Sequence, residues 1–599
     1  MESRGLWDKY QDKFCAKSDL VLTFDFGLKN AIKTVGGEAI YIDAICSPEE
    51  MQRNNLLTSE FFKKWHYDKF GKDIFHAQEV AFGFAFRIEI WSELFYYVRI
   101  RANLQHLRSI KCDKIFVCEE TGFLSNVIKE VGLDFISLRS DLRVDHEFYF
   151  FDIHKYMYDA LHAKSIKNIL KNTLSIVLSN IRLHADNFLK YNSTKTRVYA
   201  QIYHPTKSVV GALLGDPNLS VVTSSLISAK GWKKFFFQRL IPIRGFKKKF
   251  YKTADLLLGD FNNKRWARLV LTDGTDVTEG AYSMIERQLK PVLPDALRIL
   301  DSVISYVENH PFKAEIMIAN IGLVQTIVNC VLKTKGVPSY LVINGLMPTT
   351  FGDESKYASY INCYGPETKK NYFQNADNVV CLGDPRMDSY CNSMEFTNKV
   401  VNRLRPTIGI GASGFNNIDL ISNVAAEFDF MFDILTALQE LKNEGQSFSV
   451  VIKVRPNGVL QQYESFVSEY FGQLEIKLIQ NMPMNDVLEK IDLYISIASQ
   501  TLFEASCLGI PVIYYKKDKE FLLPPFDQKS ELVTICSVNE LKRAFYDFKA
   551  LNSRFDAFLE KSVMEKYVGP LDGKNLERNL SFIYQILNGD HIGGCNEYS

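Results

Sequence analysis

The sequence lacks the features that would assign it at once to a special class of protein. Its 599 residues include eleven cysteines without a CxxC pair and ten histidines without an HxxxH pair. No stretch reaches the ~18 apolar residues that a membrane span needs, and the N-terminus, MESRGLWDKYQDKF, has no apolar signal core. The formal net charge of +1 offers no reason to expect a nucleic-acid partner. These absences predict a cytoplasmic protein with reduced, buried thiols, and they argue against a disulfide framework or a zinc site.

The composition that remains is that of a globular protein, with 46% hydrophobic and 24% charged residues. A chain of this length is too long for one core, so two or three domains are expected. The alternation of strand and helix patterns predicts an N-terminal α/β block of uncertain role, a helical bridge, two larger α/β domains and a polar linker between those two. The predicted limits are 1–145 for the block, 146–195 for the bridge, 196–388 and 406–590 for the domains, and 389–405 for the linker.

The most informative segment is DLYISIASQTLFEASCLGIPVIYY at residues 492–515. An apolar run is followed by Ser499, Gln500 and Thr501, then by a short helical pattern and a second apolar run. This order predicts a strand, a helix and a parallel strand, with the helix N-terminus at the sheet edge where phosphates and nucleotides bind. Glu504 lies one turn into the helix, where its carboxylate would suit a ribose or sugar hydroxyl.

Two further segments of the same domain carry suitable groups at the ends of predicted strands. PTIGIGASGFNN ends its strand with Gly411 and Ser413, which allow a ligand close to the backbone. SVVIKVRPNG delivers Lys453 and Arg455 to the end of another strand. Because the carboxyl ends of parallel strands share one edge, we expect these groups to converge on one crevice with the Ser-Gln-Thr segment. Two cations, hydroxyl groups and a helix dipole suit the phosphates of a nucleotide.

The region from Lys313 to Val538 resembles the GT-B-fold glycosyltransferases of bacterial surface polysaccharides. That group includes the CDP-glycerol glycerophosphotransferases and the sialyl- and Kdo-transferases that use CMP-sugars. The resemblance is carried by KVRP at residues 453–456, with arginine where histidine is usual, by SQT at 499–501, by Glu504 with the following GIPVI, and by GDPRMDSY at 383–390.

The resemblance implies an α/β fold that is GT-B-like, with two Rossmann-type domains facing a cleft and the N-terminal α/β block as an addition. It also implies a glycosyltransferase that takes a nucleotide-sugar donor, with a CMP-sugar such as CMP-Kdo favoured. The acceptor would be a surface polysaccharide or a lipid-linked glycan. The chemistry implied is independent of metal, without a cofactor, and Arg455 and the helix dipole would offset the charge of the leaving group.

The catalytic base is the least certain assignment, because Asn344 stands where the family usually has a histidine or an acid. An amide cannot accept the proton, so the candidates lie in other loops that follow predicted strands. For the carboxylates the alternative is a solvated loop or a helix cap, and for the histidine it is a helix start. The candidates are Asp353, Glu354, Glu119, Glu120 and His204.

A basic and aromatic segment, KGWKKFFFQRLIPIRGFKKKFYK, runs from Lys230 to Lys252. Such a segment can lie on an anionic membrane surface, with aromatic rings inserted and cations at the headgroups. The alternative is a solvated helix flank with a few core aromatics. The first of these two interpretations predicts peripheral contact of the protein with the inner face of the cytoplasmic membrane.

Three other functions remain open. A CDP-activated polyol-phosphate transferase would use the same fold and cleft with a different donor. A nucleotide-sugar 2-epimerase would need several carboxylates in the cleft and no acceptor groove. A nucleotide-binding scaffold without catalysis is kept open by Asn344. Alanine at Arg455 separates it from the enzymes: loss of turnover with intact folding supports an enzyme, and unchanged cellular function favours the scaffold.

Overall fold

A computed structural model describes most of the chain. The described residues are 4–15, 18–110, 114–117, 123–138, 195–223, 239–241, 243–318, 322–346, 357–391, 400–412, 426–456, 460–517 and 523–590. The predicted helical bridge at 146–195 falls almost wholly outside them, as do Asp353, Glu354, Glu119, Glu120 and Ser413.

The N-terminal block is a small α/β unit with two short parallel strand pairs. Its helices begin at identifiable caps: Asp25 Oδ1 accepts from the N–H of Leu28, and Ser47 Oγ accepts from the N–H of Glu50 just before Pro48. The elements are α1 Arg4–Tyr10, β1 Leu20–Thr23, α2 Phe26–Thr34, β2 Glu38–Tyr41, α3 Pro48–Phe62, β3 His76–Ala77, β4 Val80–Ala81, α4 Arg87–His106, β5 Phe116–Val117, α5 Phe123–Val131 and β6 Ile136–Ser137.

The second unit is built on a seven-stranded sheet, ordered β13-β12-β11-β10-β7-β8-β9, in which every neighbouring pair is parallel. Its strands β8, β10 and β11 are buried throughout, as expected for a sheet covered by helices on both faces. The elements are β7 Thr196–Ala200, α6 Lys207–Leu213, β8 Leu219–Thr223, β9 Arg239–Leu240, α7 Tyr251–Lys264, α8 Thr278–Asn309, β10 Ala314–Met317, α9 Leu323–Thr334, β11 Ser339–Val342, β12 Tyr360–Asn362, α10 Pro366–Asn371, β13 Val379–Val380 and α11 Asp388–Cys391.

The third unit has a six-stranded, wholly parallel sheet ordered β16-β15-β14-β17-β18-β19. Numbered from its own first strand, this is the order 3-2-1-4-5-6 of a Rossmann sheet. The elements are β14 Thr407–Gly411, α12 Ala426–Asn443, β15 Ser449–Lys453, α13 Leu460–Phe471, β16 Ile476–Ile479, α14 Met484–Leu488, β17 Leu493–Ser496, α15 Thr501–Cys507, β18 Val512–Tyr515, β19 Thr534–Ile535, α16 Val538–Lys549, α17 Lys561–Val568 and α18 Asn575–Asn588.

The end of the chain returns to the second unit. Phe582 and Ile583 of α18 belong to the core of the seven-stranded sheet. Asn579 Oδ1 accepts from the hydroxyl of Tyr340 at 2.6 Å and from Asn362 at 2.9 Å. The chain therefore connects the two Rossmann-type units twice. The predicted division at 389–405 stays a prediction.

The N-terminal block packs against both units. Phe26 of α2 lies among Phe428, Phe432, Phe466 and Tyr470 of the third unit, with ring centroids 5.3–5.8 Å apart. The helices α3 and α4 share a hydrophobic core with α7, α8 and α9 of the second unit. The block is thus joined to each unit by buried apolar surface, which is the main source of stability for such contacts.

The predicted fold class is confirmed: α/β, GT-B-like, with two Rossmann-type units and an additional N-terminal α/β block. Among the residues that the structure describes, none of the helices combines the length and the apolar content required to cross a bilayer.

Candidate active site

Both large sheets reverse their strand order at one position, and this position is where open α/β sheets bind ligands. In the third unit the reversal lies between β14 and β17, and in the second unit it lies between β7 and β10. A crevice opens beyond the carboxyl ends of the strands at such a point. The site is therefore expected around the loops that follow these strands. A hydrogen bond from Gln500, which follows β17, to Asp384, which follows the edge strand β13, shows that the second unit contacts the reversal point of the third.

The predicted hydroxyl-rich helix start is confirmed as a connected group at the reversal point of the third unit. Thr501 Oγ1 is 2.8 Å from the Tyr494 hydroxyl and 2.9 Å from Ser499 Oγ. Ser496 Oγ donates to the carbonyl oxygen of Gly411 at 3.0 Å. The group joins the ends of β14 and β17 to the first residue of α15.

Gly411 has a specific reason to be glycine. A Cβ at this position would lie 2.0 Å from the Tyr494 hydroxyl oxygen and 2.9 Å from Ser496 Oγ. The space beside the backbone is therefore taken by the side chain of Tyr494 from the neighbouring strand. The sequence pattern predicted a close approach at Gly411, and in this structure the group that approaches is part of the protein.

The two cations after β15 are placed differently. Lys453 is largely buried, and its Nζ donates to the carbonyl oxygens of Val454 and Gln480 at 3.0 and 2.5 Å. Burial lowers the pKa of Lys453. Arg455 is partly exposed, and its charge opposes the rise in the pKa of Tyr494 that burial causes. Arg455 is thus the cation that acts on the Tyr494 hydroxyl, while Lys453 donates hydrogen bonds to backbone carbonyls of the adjoining loops.

A buried ion pair follows β13 of the second unit. Asp384 is fully buried, and its two carboxylate oxygens accept from Nε and Nη2 of Arg386 at 2.8–3.0 Å. Arg386 Nη2 also donates to the hydroxyl of Tyr364 at 3.2 Å. Burial alone would lower the pKa of Arg386, but the contact with Asp384 outweighs it and raises the pKa. The guanidinium therefore remains charged in a largely dry setting.

This ion pair is joined to the helix start of the third unit. Gln500 Nε2 donates to Asp384 Oδ2 at 3.2 Å. Among the described residues, Gln500 Oε1 is buried and accepts no hydrogen bond. A Cβ built on Gly345, in the loop after β11, would lie 4.0 Å from this oxygen. Three loops from two sheets therefore meet at Gln500.

Glu504 is enclosed one turn further along α15. Its Oε2 accepts from the Tyr390 hydroxyl at 2.7 Å, which is a second connection between the two units. Burial raises the pKa of Glu504, while Tyr390 and the nearby Arg386 lower it. The carboxylate is thus placed inside the junction, and its predicted contact with a ribose stays a prediction.

His204 completes the junction from the second unit. It follows β7, the first strand at the reversal point, and it is exposed, with its ring against that of Tyr203 at a centroid distance of 4.9 Å. Burial, followed by the positive charges of Arg386 and Lys207, lowers the pKa of His204 below 6.5. An imidazole held neutral in this way can accept a proton at neutral pH.

The structure brings together six of the predicted residues, namely His204, Gly411, Ser499, Gln500, Thr501 and Glu504, with Arg455 beside them. The reading of the sequence did not assign a role to Asp384 or Arg386. Both lie in GDPRMDSY, one of the segments that carry the family resemblance. The signal that was available is an acid and an arginine two residues apart directly after a strand.

A separate cavity of about 770 Å³ lies between α4 and the start of α8. Its lining includes Tyr97, Arg101, Trp266 and Arg268. None of the predicted site residues that the structure describes lines it. Within the described part of the chain, one group of three possible metal ligands is found, and it lies in the N-terminal block rather than at the junction.

Comparisons with known proteins identify no relative by sequence. No protein-family model and no curated protein matches the chain. Several solved structures match over about two thirds of it. UDP-GlcNAc 2-epimerase from Neisseria meningitidis bound to UDP-GlcNAc is 13% identical, with 65% of this chain and 99% of that chain covered and a TM-score of 0.40.

The enzyme of the same name from Methanocaldococcus jannaschii is 11% identical over 65% of this chain and 99% of that chain, with a TM-score of 0.37. Acinetobacter baumannii MurG is 12% identical with the same coverages and the same TM-score. Similarity at this level carries no argument about activity. The fold assignment above therefore rests on the two sheets themselves.

Proposed function

We propose that this protein is a glycosyltransferase that binds a nucleotide-sugar in the crevice between its two Rossmann-type units. The observation that carries the proposal is the junction itself. His204 and Gln500 follow strands at the reversal points of the two sheets. The Asp384–Arg386 pair follows the edge strand β13 and joins them through the hydrogen bond from Gln500 to Asp384 and the effect of the Arg386 charge on His204. A ligand that spans both reversal points would contact a cation, hydroxyl groups and a neutral imidazole.

In this proposal the third unit holds the donor. Arg455 and the hydroxyls of Ser499 and Thr501 contact the phosphate, because a charged donor and hydroxyl groups together satisfy several phosphate oxygens. His204 accepts the proton of the attacking acceptor hydroxyl, as its lowered pKa allows. Gln500 keeps the units at the separation that the reaction needs. Lys453 has a supporting role through the backbone.

The finer assignment of substrates rests on the sequence resemblance. We take a CMP-sugar as the first donor to test and a surface-polysaccharide or lipid-linked glycan as the acceptor class. A CDP-activated polyol would use the same crevice. Asp353, Glu354, Glu119 and Glu120 remain further candidates for the base, and Ser413 for contact with the donor. Peripheral membrane contact by the segment from Lys230 to Lys252 belongs to the same proposal, since a lipid-linked acceptor would lie at that surface.

The test begins with ligand-induced thermal stabilisation of the purified protein by CMP, CDP, UDP, GDP and their sugar conjugates, with and without EDTA. A nucleotide at about 100 times its Kd contributes ~2.7 kcal/mol, which raises the unfolding midpoint by several degrees. Arg455→Ala should abolish the shift. Arg405→Ala is the matched control, because Arg405 precedes β14 and so removes the same charge at the opposite edge of that sheet.

The second step separates binding from catalysis. His204→Asn should keep the nucleotide-induced shift and lose donor turnover, measured as release of free nucleotide. His310→Asn is its control, since His310 lies before β10 at the amino edge of the same sheet. Stabilisation without turnover in the wild type would favour the scaffold. Absence of any shift with any nucleotide would refute the proposal.

A further inference from the structure

The N-terminal block contains a compact group of side chains that can bind a metal ion. These side chains belong to other elements than the loops of the crevice. Cys46 Sγ, a carboxylate oxygen of Glu50 and a ring nitrogen of His106 all lie within 4.8 Å of one another. His106 Nε2 is 2.9 Å from Glu50 Oε1. Cys46 lies just before α3, Glu50 lies in its first turn, and His106 is the last residue of α4.

The backbone that carries these side chains is fixed by buried hydrogen bonds. Asn103, which is fully buried, accepts at Oδ1 from the N–H groups of Ile45 and Cys46, both at 2.6 Å. Its Nδ2 donates to the carbonyl oxygen of Arg99 at 2.7 Å. One amide thus fixes the loop before α3 to the last turns of α4. Such outer support is what orients the ligands of a metal site.

The donor set indicates which ion would fit. A thiolate sulfur, an imidazole nitrogen and a carboxylate oxygen are the three ligand types that Zn²⁺ uses, whereas Mg²⁺ and Ca²⁺ prefer oxygen alone. Three ligand atoms that all lie within 4.8 Å of one another can contact one tetrahedral ion after small adjustments of the side chains.

The second unit lies next to this group. The backbone N–H and the hydroxyl of Thr272 donate to Asn54 Oδ1 at 2.9 and 2.6 Å, and Asn54 is one turn beyond Glu50 on α3. The next residue, Asp273, acts electrostatically on the Cys46 thiol. Both carboxylate oxygens of Asp273 accept hydrogen bonds from Thr275, so the fourth position is left to water.

We propose that Cys46, Glu50 and His106 form a zinc site that fastens α3 to α4 where the N-terminal block meets the second unit. The alternative is that Glu50 and His106 form only an ion pair and that Cys46 is a core side chain. A bound ion distinguishes the two, because an ion pair retains no zinc. The site is independent of the crevice, so its test does not depend on the proposed transferase activity.

The experiment uses the full-length protein, stripped with chelator, incubated with Zn²⁺ and desalted, with metal content measured by inductively coupled plasma mass spectrometry. We expect about one zinc per chain for the wild type and a loss of at least tenfold in affinity for His106→Asn and Cys46→Ser. His76→Asn and Cys536→Ser are the controls, because both residues are exposed and lie elsewhere in the chain. His106 is partly exposed, so its variant is expected to fold.

A second measurement on the unaltered protein covers the case in which Cys46→Ser does not fold. Co²⁺ bound at the site should show the thiolate-to-metal charge-transfer absorption of a cysteine-ligated ion, and Zn²⁺ should displace it. The proposal is overturned if the wild type retains no zinc, if Co²⁺ shows no thiolate band, or if His106→Asn retains zinc as the wild type does.

Discussion

Replacing Asp384 by asparagine tests the physical basis of the junction most directly. The carboxylate accepts three side-chain hydrogen bonds from Arg386 at 2.8–3.0 Å and one from Gln500 at 3.2 Å, and it is fully buried. Asparagine has nearly the same shape, so packing is preserved. The change removes the negative charge and leaves the guanidinium without a hydrogen-bonded counter-charge in a largely dry environment, where the carboxylate of Glu504 acts on it only electrostatically.

The expected loss is about 3–5 kcal/mol, since breaking one side of a buried ion pair leaves an uncompensated charge. For a cooperative unit of about 150–250 residues, each kcal/mol lowers the midpoint by roughly 2–4 °C, so a decrease of about 10 °C is expected. Thermal and urea unfolding followed by circular dichroism measure it. Asp295→Asn is the control, because the Asp295–Arg298 pair on α8 is partly exposed and contributes only about 0–1 kcal/mol.

The double variant Asp384→Leu/Arg386→Met completes the test. If the loss in Asp384→Asn comes from an orphaned charge, removing both charges should recover most of the stability, because apolar replacement of a buried pair is often neutral. The reasoning is refuted if Asp384→Asn costs less than about 1 kcal/mol, or if the double variant is less stable than the single one.

Three further predictions concern other parts of the molecule. Phe26→Ala should destabilise the contact of the N-terminal block with the third unit by about 3–5 kcal/mol. It should also speed amide hydrogen exchange in α2. Phe70→Ala is the control, because this residue is 82% exposed, and it should change neither the stability nor the exchange rate. Lys207→Ala should raise the pKa of His204 toward 6.5, because it removes one of the positive charges that lower this pKa, and NMR titration measures the change. In the wild type the lowered pKa keeps the ring neutral as the pH falls below 6.5, which reduces folding stability there. An unchanged or lower pKa in the variant would contradict this. Phe246→Ala should weaken binding to anionic vesicles, since this ring is 85% exposed within the basic segment, and equal binding by wild type and variant would remove the membrane reading.

The sequence by itself determined the local elements and their order. Strands such as β14 and β17 are short apolar runs bounded by glycine or polar residues, and periodicity is a local property that the sequence displays. Their alternation with helices implies parallel sheets, and parallel sheets place the loops after the strands at one edge. For that reason Arg455, the Ser499–Gln500–Thr501 segment and His204 could be proposed as site residues without a structure.

Only the tertiary structure decided which of these groups face one another. The side chain of Lys453 turns to backbone carbonyls, because burial makes such acceptors necessary for an ammonium group. Asp384 of the second unit contacts Gln500 of the third, although the two residues are more than a hundred positions apart in the sequence. Cys46 and His106 meet in the same way within the N-terminal block. Contacts of this kind depend on how helices and sheets pack, and no local pattern in the chain encodes the distance between two such side chains.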